Sequence, residues 1–131
     1  MFKQHAGRDV DLRIGNGLTH EGIDVSGVRR LAGFRTKIAS ILIDSQGERL
    51  AVSAQPQGYP PDASWLPVER VAEADTVLAD TRWPTGAQRL FEAAAQHNLP
   101  SVFDGDGGDP PQVLATAQQC THPFFSQPML A

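Results

Sequence analysis

Residues 76–125, TVLADTRWPTGAQRLFEAAAQHNLPSVFDGDGGDPPQVLATAQQCTHPFF, decide the fold class of this chain. Three short segments with apolar and β-branched content, Thr76–Asp80, Ser101–Asp104 and Thr121–Phe125, are typical of strands. The residues between them predict two helices. Strand and helix therefore alternate through this part of the chain.

The first predicted helix runs from Thr85 to His97 and is rich in Ala, Leu and Glu. Asp109 can cap the second, which carries Pro110 in its first turn and extends to about Gln119. Each strand must return through a crossover helix to lie beside its predecessor, so the alternation favours a parallel sheet. Residues 76–131 are predicted to be an α/β portion.

The first half of the chain has a different pattern. Several glycines interrupt a weak helical periodicity in residues 1–30, and we expect a short helix that ends near Gly22. Residues 37–43 and 48–53 can pair through the turn Asp44–Gly47, which predicts a β-hairpin. The proline-rich residues 55–61 are expected to form an exposed connection.

Composition excludes several classes of function. The net charge is -4, the pI is about 5.4, and the Lys and Arg residues are scattered, so nucleic acid is not an expected partner. Cys120 is the only cysteine and cannot form an internal disulfide. No apolar run is long enough to cross a bilayer and the N-terminus does not resemble a signal peptide. We expect a cytoplasmic protein without a membrane partner.

The candidate binding residues follow the predicted strands. The first strand ends in Asp80-Thr-Arg82, the second in Asp104-Gly-Asp106 and the third in Ser126-Gln127. Ligands of open parallel sheets bind at the carboxyl ends of the strands. Arg82 could bind the anionic group of a small sugar, since its planar guanidinium suits phosphate or sulfonate oxygens. Alternatively, Asp80 and Arg82 pair with each other or with loop backbone groups.

Other polar and aromatic residues leave two alternatives open. The sequence Asp104-Gly-Asp-Gly-Gly-Asp109 could ligate a metal, or it could be a turn followed by a helix cap. Trp65 and Trp83 could stack on a sugar ring or simply bury surface. The four histidines and Cys120 lack metal-ligand spacing, so we expect structural roles for them and no metal site.

Two groups of motifs resemble a known family. Gly22-Ile-Asp24, Thr36 and Ile43-Asp-Ser-Gln-Gly-Glu-Arg49 are similar to the "GVD" turn and "D-x-x-G-E-R" lid hairpin of PfkB (ribokinase family) carbohydrate kinases. The segments at 77–83, 102–106 and 124–128 look like the matching sheet edge of the ketohexokinase-like and sulfofructose kinase branch. The likeness extends from about residue 20 to the end of the chain.

The resemblance implies a partial ribokinase-like α/β fold, with a three-layer body, a parallel sheet and a small β-hairpin lid. Residues 1–131 would then be a single partial kinase domain, with the lid at 37–53 and the parallel α/β portion at 76–131. Arg82 would meet the anionic group of the sugar and Asp80 would shape the same pocket. Ser53 would contact the substrate where the sulfofructose branch has a lid asparagine. The lid strands would also pair in a homodimer.

The same resemblance implies an incomplete enzyme. Full-length relatives transfer a phosphate from ATP, with Mg, to a sugar hydroxyl. They begin with a strand that bears a sugar-binding aspartate and is followed by a Gly-Gly motif, and they end with a D-T-x-G-A-G-D motif; this sequence has neither that opening arrangement nor the D-T-x-G-A-G-D motif. We therefore expect no catalytic residues and no cofactor in this chain. The alternative function is a non-catalytic module that binds a sugar phosphate or mediates dimerisation.

Overall fold

The computed structural model describes residues 13–54 and 59–129 of the chain. It consists of two compact units, Met1–Pro60 and Pro61–Ala131. Each unit is described by itself. The predicted connection at 55–61 lies partly outside the described residues, as does the first part of the weak helical pattern.

The N-terminal unit begins with helix α1, helical over residues 13–20. Its end is fixed by Gly22, which has a φ of +77°. The Gly22 amide donates to Thr19 and the Ile23 amide donates to Leu18, each at 3.0 Å. These two bonds form a Schellman motif, which satisfies the last carbonyls of the helix and favours glycine at this position. The prediction of a short helix that ends near Gly22 is confirmed.

The predicted hairpin is present as strand β1 (Ile38–Ile43) and strand β2 (Arg49–Ala54). The strands are antiparallel, and Leu42 lies opposite Leu50. Asp44 closes the turn because its Oδ1 accepts hydrogen bonds from the amides of Gln46 at 2.8 Å and Glu48 at 3.0 Å. Every residue of both strands is exposed within the described chain. The hairpin is therefore held by its turn and ladder rather than by burial.

The C-terminal unit contains the predicted parallel sheet. Strands β3 (Val77–Asp80), β4 (Ser101–Asp104) and β5 (His122–Phe124) lie in that order. Helix α2 (Pro84–Gln96) connects β3 to β4, and helix α3 (Pro110–Ala117) connects β4 to β5. Two 3-10 helices, Val68–Glu73 and Gln127–Met129, precede and follow the sheet. The α/β fold class is confirmed, and the structure adds the first 3-10 helix, which the sequence did not predict.

The core lies between the sheet and its two helices. Phe91 of α2 and Phe103 of β4 are fully buried and meet edge to face, with ring centroids 6.0 Å apart. Val113 of α3 belongs to the same cluster. Leu78 follows the buried Val77 in β3 and remains exposed, and Phe124 of β5 is exposed as well. The described residues thus form the sheet and one helical layer, and the third layer of the body stays a prediction.

Hydrogen bonds from backbone amides to side-chain hydroxyl oxygens join the amino ends of β4 and β5. The amide of Ser101 donates to Thr121 Oγ1 at 2.8 Å, and the amide of Thr121 donates to Ser101 Oγ at 3.0 Å. Ser101 is buried, so both of its polar groups need such partners. These bonds hold one end of the sheet, and the candidate site lies at the other end. No helix among residues 13–54 and 59–129 is long and apolar enough to cross a membrane.

Candidate functional site

The carboxyl ends of the three parallel strands lie at one edge of the sheet. Asp80 pairs in register with Asp104, and Asp104 with Phe124. The first amide beyond β4, that of Gly105, donates to the Phe124 carbonyl at 2.8 Å. The loops after the strands therefore leave the sheet side by side. The structure places the three predicted polar segments at the same edge.

Asp106 connects the three loops. Its Oδ1 accepts a hydrogen bond from the Ser126 amide at 2.6 Å, which binds the loop after β4 to the loop after β5. Its backbone carbonyl accepts from Thr81 Oγ1 at 3.2 Å, which adds the loop after β3. A carboxylate that accepts from a backbone amide makes a strong, oriented bond. Asp106 is therefore a positioning residue of the edge, a role that the sequence did not reveal.

Asp80 and Arg82 interact within one turn. Asp80 Oδ1 accepts from the Arg82 amide at 2.8 Å, and Asp80 Oδ2 lies 4.0 Å from Arg82 Nε. Both side chains are more than half exposed, at 55% and 60%. An exposed pair at this distance contributes little stability and leaves the guanidinium accessible to solvent. The two predicted binding residues are thus brought together, and the contact matches the alternative in which they pair with each other.

The glycine-rich segment between β4 and α3 is a turn followed by a helix cap. Asp109 Oδ2 accepts from the Gln112 amide at 3.4 Å, so Asp109 caps α3 as predicted. Gly107 and Gly108 have φ values of +82° and +97°, in the left-handed region that favours glycine. Among the described residues, no group of three or more His, Cys, Asp or Glu side chains is placed to hold a metal ion. Asp104, Asp106 and Asp109 therefore do not form a metal site of three such side chains.

The two tryptophans pack against each other. The rings of Trp65 and Trp83 stack with centroids 5.2 Å apart and an angle of 11° between their planes. Gly86, in the first turn of α2, makes room for this pair, because a Cβ there would lie 2.2 Å from the Trp83 ring. Each indole nitrogen also donates to a backbone carbonyl, Trp65 to Asp62 and Trp83 to Pro61. This arrangement matches the alternative in which the tryptophans bury surface.

A cavity of about 510 Å³ adjoins the Trp83 ring. Leu66, Leu78 and Leu90 supply much of its apolar wall, and Asp80 and Asp104 line its polar side. No basic residue belongs to this lining among the described residues. Two carboxylates disfavour an anion and are good acceptors for hydroxyl groups. The cavity therefore suits the hydroxyl-bearing part of a ligand, whereas an anionic group would be bound better beside Arg82.

Ser53 lies in the hairpin, in strand β2 opposite Ala39. It is exposed and belongs to the N-terminal unit, whereas Asp80 and Arg82 belong to the C-terminal unit. Its predicted contact with substrate stays a prediction.

Cys120 and His122 lie beside the amino end of β5 rather than at the candidate edge. Burial raises the pKa of the Cys120 thiol, while backbone hydrogen bonds to the sulfur oppose the shift. The thiol donates to the Ala117 carbonyl at 3.3 Å, and a thiol kept protonated is a poor nucleophile. His122 Nδ1 lies 2.8 Å from Thr121 Oγ1. Both contacts fit the structural roles expected from the sequence.

The fold defines the class of this protein as an α/β protein with a three-stranded parallel sheet and a small antiparallel hairpin. No family model matches the chain. Its structure is similar to the crystal structure of "a putative ribokinase from Agrobacterium tumefaciens", with a TM-score of 0.75 and 32% sequence identity over 90% of this chain. A second crystal structure, that of Sa239, has a TM-score of 0.63 and 21% identity over 79% of this chain.

More particularly, the chain has part of a ribokinase-like fold, and the 32% identity supports the ribokinase-like family. The matched region covers 39% of the Agrobacterium protein and 36% of Sa239. The chain therefore spans about two fifths of the length of these structures. The resemblance noted in the sequence agrees with the structural comparison at the level of the ribokinase-like fold.

Proposed function

We propose that this chain is part of a PfkB-family carbohydrate kinase and that the edge formed by Asp80 and Arg82 binds a small anionic sugar. The observation that carries the proposal is the structural similarity to the Agrobacterium protein, which extends over 90% of this chain at 32% identity. That protein is named "a putative ribokinase".

The geometry of the edge supports one role for Arg82, which would bind the anionic group, and another for Asp80 and Asp104, which would bind the sugar hydroxyls. Arg82 presents an exposed guanidinium, and a phosphate or sulfonate could replace the loose contact with Asp80. Asp80 and Asp104 line the adjoining cavity, where their oxygens could accept hydrogen bonds from sugar hydroxyls. We further propose a ketose or a sulfosugar as the ligand, as the ketohexokinase-like and sulfofructose branch would require, with Ser53 as an additional contact.

Replacement of Arg82 by alanine is expected to weaken the binding of such a sugar. A charge-assisted hydrogen bond is worth about 1.5–3 kcal/mol, so the dissociation constant should rise about tenfold to a hundredfold. Isothermal titration of the chain and the variant with fructose 1-phosphate and sulfofructose measures this directly. Arg89→Ala, on the exposed face of α2, is the matched control because it removes the same charge elsewhere.

The outcomes of this titration separate the alternatives. Binding that depends on Arg82 supports the proposal, and binding that Arg82→Ala leaves unchanged would contradict it. Asp80→Asn distinguishes the two roles of the carboxylate: weaker binding indicates contact with the sugar, whereas tighter binding indicates only competition for Arg82. A parallel assay with ATP tests the expectation that the chain alone is catalytically incomplete, and measurable phosphate transfer would overturn it.

The hairpin favours a second candidate function, homodimerisation. One of its faces carries Ile38 and Leu42 of β1 and Leu50 and Val52 of β2, and all four side chains are between 54% and 61% exposed. An isolated two-stranded hairpin is marginally stable in water. We therefore propose that two copies of this chain pair their hairpins through this apolar face.

Replacement of Leu42 by glutamate should disrupt this dimer. The new carboxylate would be desolvated within the apolar face, so the dimer dissociation constant should rise at least about tenfold. Sedimentation velocity over a concentration series measures the change. Gln46→Glu adds the same charge in the turn and should leave the dimer intact. A wild-type chain that stays monomeric at high concentration would refute this function.

A further inference from the structure

The N-terminal unit contains a cavity of about 280 Å³. Three arginines, Arg29, Arg30 and Arg35, belong to its lining, and no acidic side chain does among the described residues. Guanidinium groups are the preferred protein partners of phosphate, sulfonate and carboxylate. The lining of this cavity therefore includes basic side chains, whereas the lining of the cavity beside Trp83 includes carboxylates.

Arg30 is placed for such a role by the helix that it faces. Its Nη2 would lie 3.3 Å from a Cβ added at Gly15, so the guanidinium rests against the glycine of α1. A larger side chain at this position would displace it. Among the described residues, no hydrogen bond or ion pair holds the Arg30 guanidinium. The N–H groups of the Arg30 guanidinium can therefore donate hydrogen bonds to a ligand without breaking a hydrogen bond or ion pair to a described residue.

The rest of the cavity wall is apolar and aromatic. Ile14, Leu18 and Leu31 contribute aliphatic surface. The rings of Phe34 and Tyr59 stack with centroids 5.1 Å apart and planes at 22°, and the Tyr59 hydroxyl donates to the Arg35 carbonyl. The aromatic wall is thus fixed to the same segment that carries the arginines. An inorganic ion would use only part of this surface.

We propose that this cavity binds an organic anion, a single phosphate, sulfonate or carboxylate group attached to a small apolar or aromatic body. Arg30 holds the anionic group and the aliphatic and aromatic wall covers the body. The volume lies near the lower end of the range for small-molecule sites, which is about 300–1,000 Å³, so the ligand is small. The site is independent of Arg82 and of the proposed sugar kinase function.

Isothermal titration with three probes tests this site. Phenyl phosphate carries both features, inorganic phosphate carries only the charge, and benzyl alcohol carries only the ring. Phenyl phosphate should bind at least about tenfold more tightly than inorganic phosphate or benzyl alcohol, since inorganic phosphate lacks the ring and benzyl alcohol lacks the charge. Equal binding of phenyl phosphate and inorganic phosphate, or no binding of phenyl phosphate, would overturn the proposal.

Variants of Arg30 test whether phenyl phosphate binds in this cavity. Arg30→Gln should raise the dissociation constant for phenyl phosphate about tenfold or more, and Arg30→Lys should give an intermediate value because it keeps the charge but not the planar fork. Arg89→Gln removes the same charge in the other unit and should have no effect. Phenyl phosphate binding that is lost in Arg82→Ala but kept in Arg30→Gln would assign the anion to the sheet edge and refute the cavity. Circular dichroism of each variant verifies that it remains folded.

Discussion

Replacement of Phe91 by alanine is expected to remove a large part of the stability of the C-terminal unit. The Phe91 side chain is 0% exposed and packs edge to face on Phe103, which is 1% exposed. Truncation of a buried phenylalanine costs about 3–5 kcal/mol because it removes apolar burial and leaves a cavity. A unit of roughly 70 residues is stabilised by only about 4–10 kcal/mol. The loss is therefore comparable with the whole stability of the unit.

Urea unfolding followed by tryptophan fluorescence measures this effect, since Trp65 and Trp83 both lie in the C-terminal unit. Leu114→Ala is the control: Leu114 is on α3 but is 59% exposed, so its truncation should change the free energy of unfolding by less than about 1 kcal/mol. Equal unfolding midpoints for the two variants would show that Phe91 is not the centre of the core.

The three strands and two α-helices of the C-terminal unit could be predicted because each has a local signal. The segment Ser101–Asp104 was predicted with the bounds that the structure has. The cap Asp109 and the first-turn Pro110 located the start of α3 in the same way. The 3-10 helix Val68–Glu73 was missed, because its single buried residue, Val71, gives no periodic pattern. Its position depends on packing against α2, which no local sequence signal encodes.

The candidate edge was predictable in position but not in its contacts. Residues that follow parallel strands must lie at one edge, so the meeting of Asp80, Asp104 and Ser126 follows from topology. The bond from the Ser126 amide to Asp106 joins residues 20 apart in sequence and depends on the length of each loop. The stacking of Trp65 on Trp83 is of the same kind. Gly86, a glycine inside a helical pattern, was the one available signal of a close approach there.

In the hairpin, the turn could be predicted from the sequence but the surroundings of the two strands could not. Its turn could be predicted from Asp44 and Gly47, and Gly47 has a φ of +85° in the structure. What the hairpin contacts could not be predicted, since its strands carry apolar residues on both faces and all are exposed in the described chain. Ile41 and Ile43 lie on the face opposite Leu42. Alternation specifies one buried face only when the other face is polar, so the partner of this hairpin must be found by experiment.

Replacement of Gly105 by alanine is expected to distort the candidate edge and to destabilise the C-terminal unit by about 2–3 kcal/mol. Gly105 is buried and directly follows β4. A Cβ at this position would lie 2.3 Å from Phe125 Cε1 and 3.1 Å from the Phe124 carbonyl oxygen. Gly105 does not have a positive φ, so the cost arises from the clash and not from backbone strain. The aromatic ring must move, and the adjoining Ser126 amide then loses its position on Asp106.

A double-mutant cycle isolates this mechanism. If the clash with the ring is the cause, Gly105→Ala should cost less than about 1 kcal/mol in a Phe125→Ala background, since the ring that the methyl group meets has been removed. Gly107→Ala is the contrasting control: a Cβ there meets nothing within 4 Å, but the φ of +82° strains any L-residue by about 1–2 kcal/mol, and removal of Phe125 should not relieve that strain. Urea unfolding of the variants gives the coupling energy. Equal costs of Gly105→Ala in both backgrounds would contradict the role of Phe125, and the remaining contact, the Phe124 carbonyl, would then account for the cost.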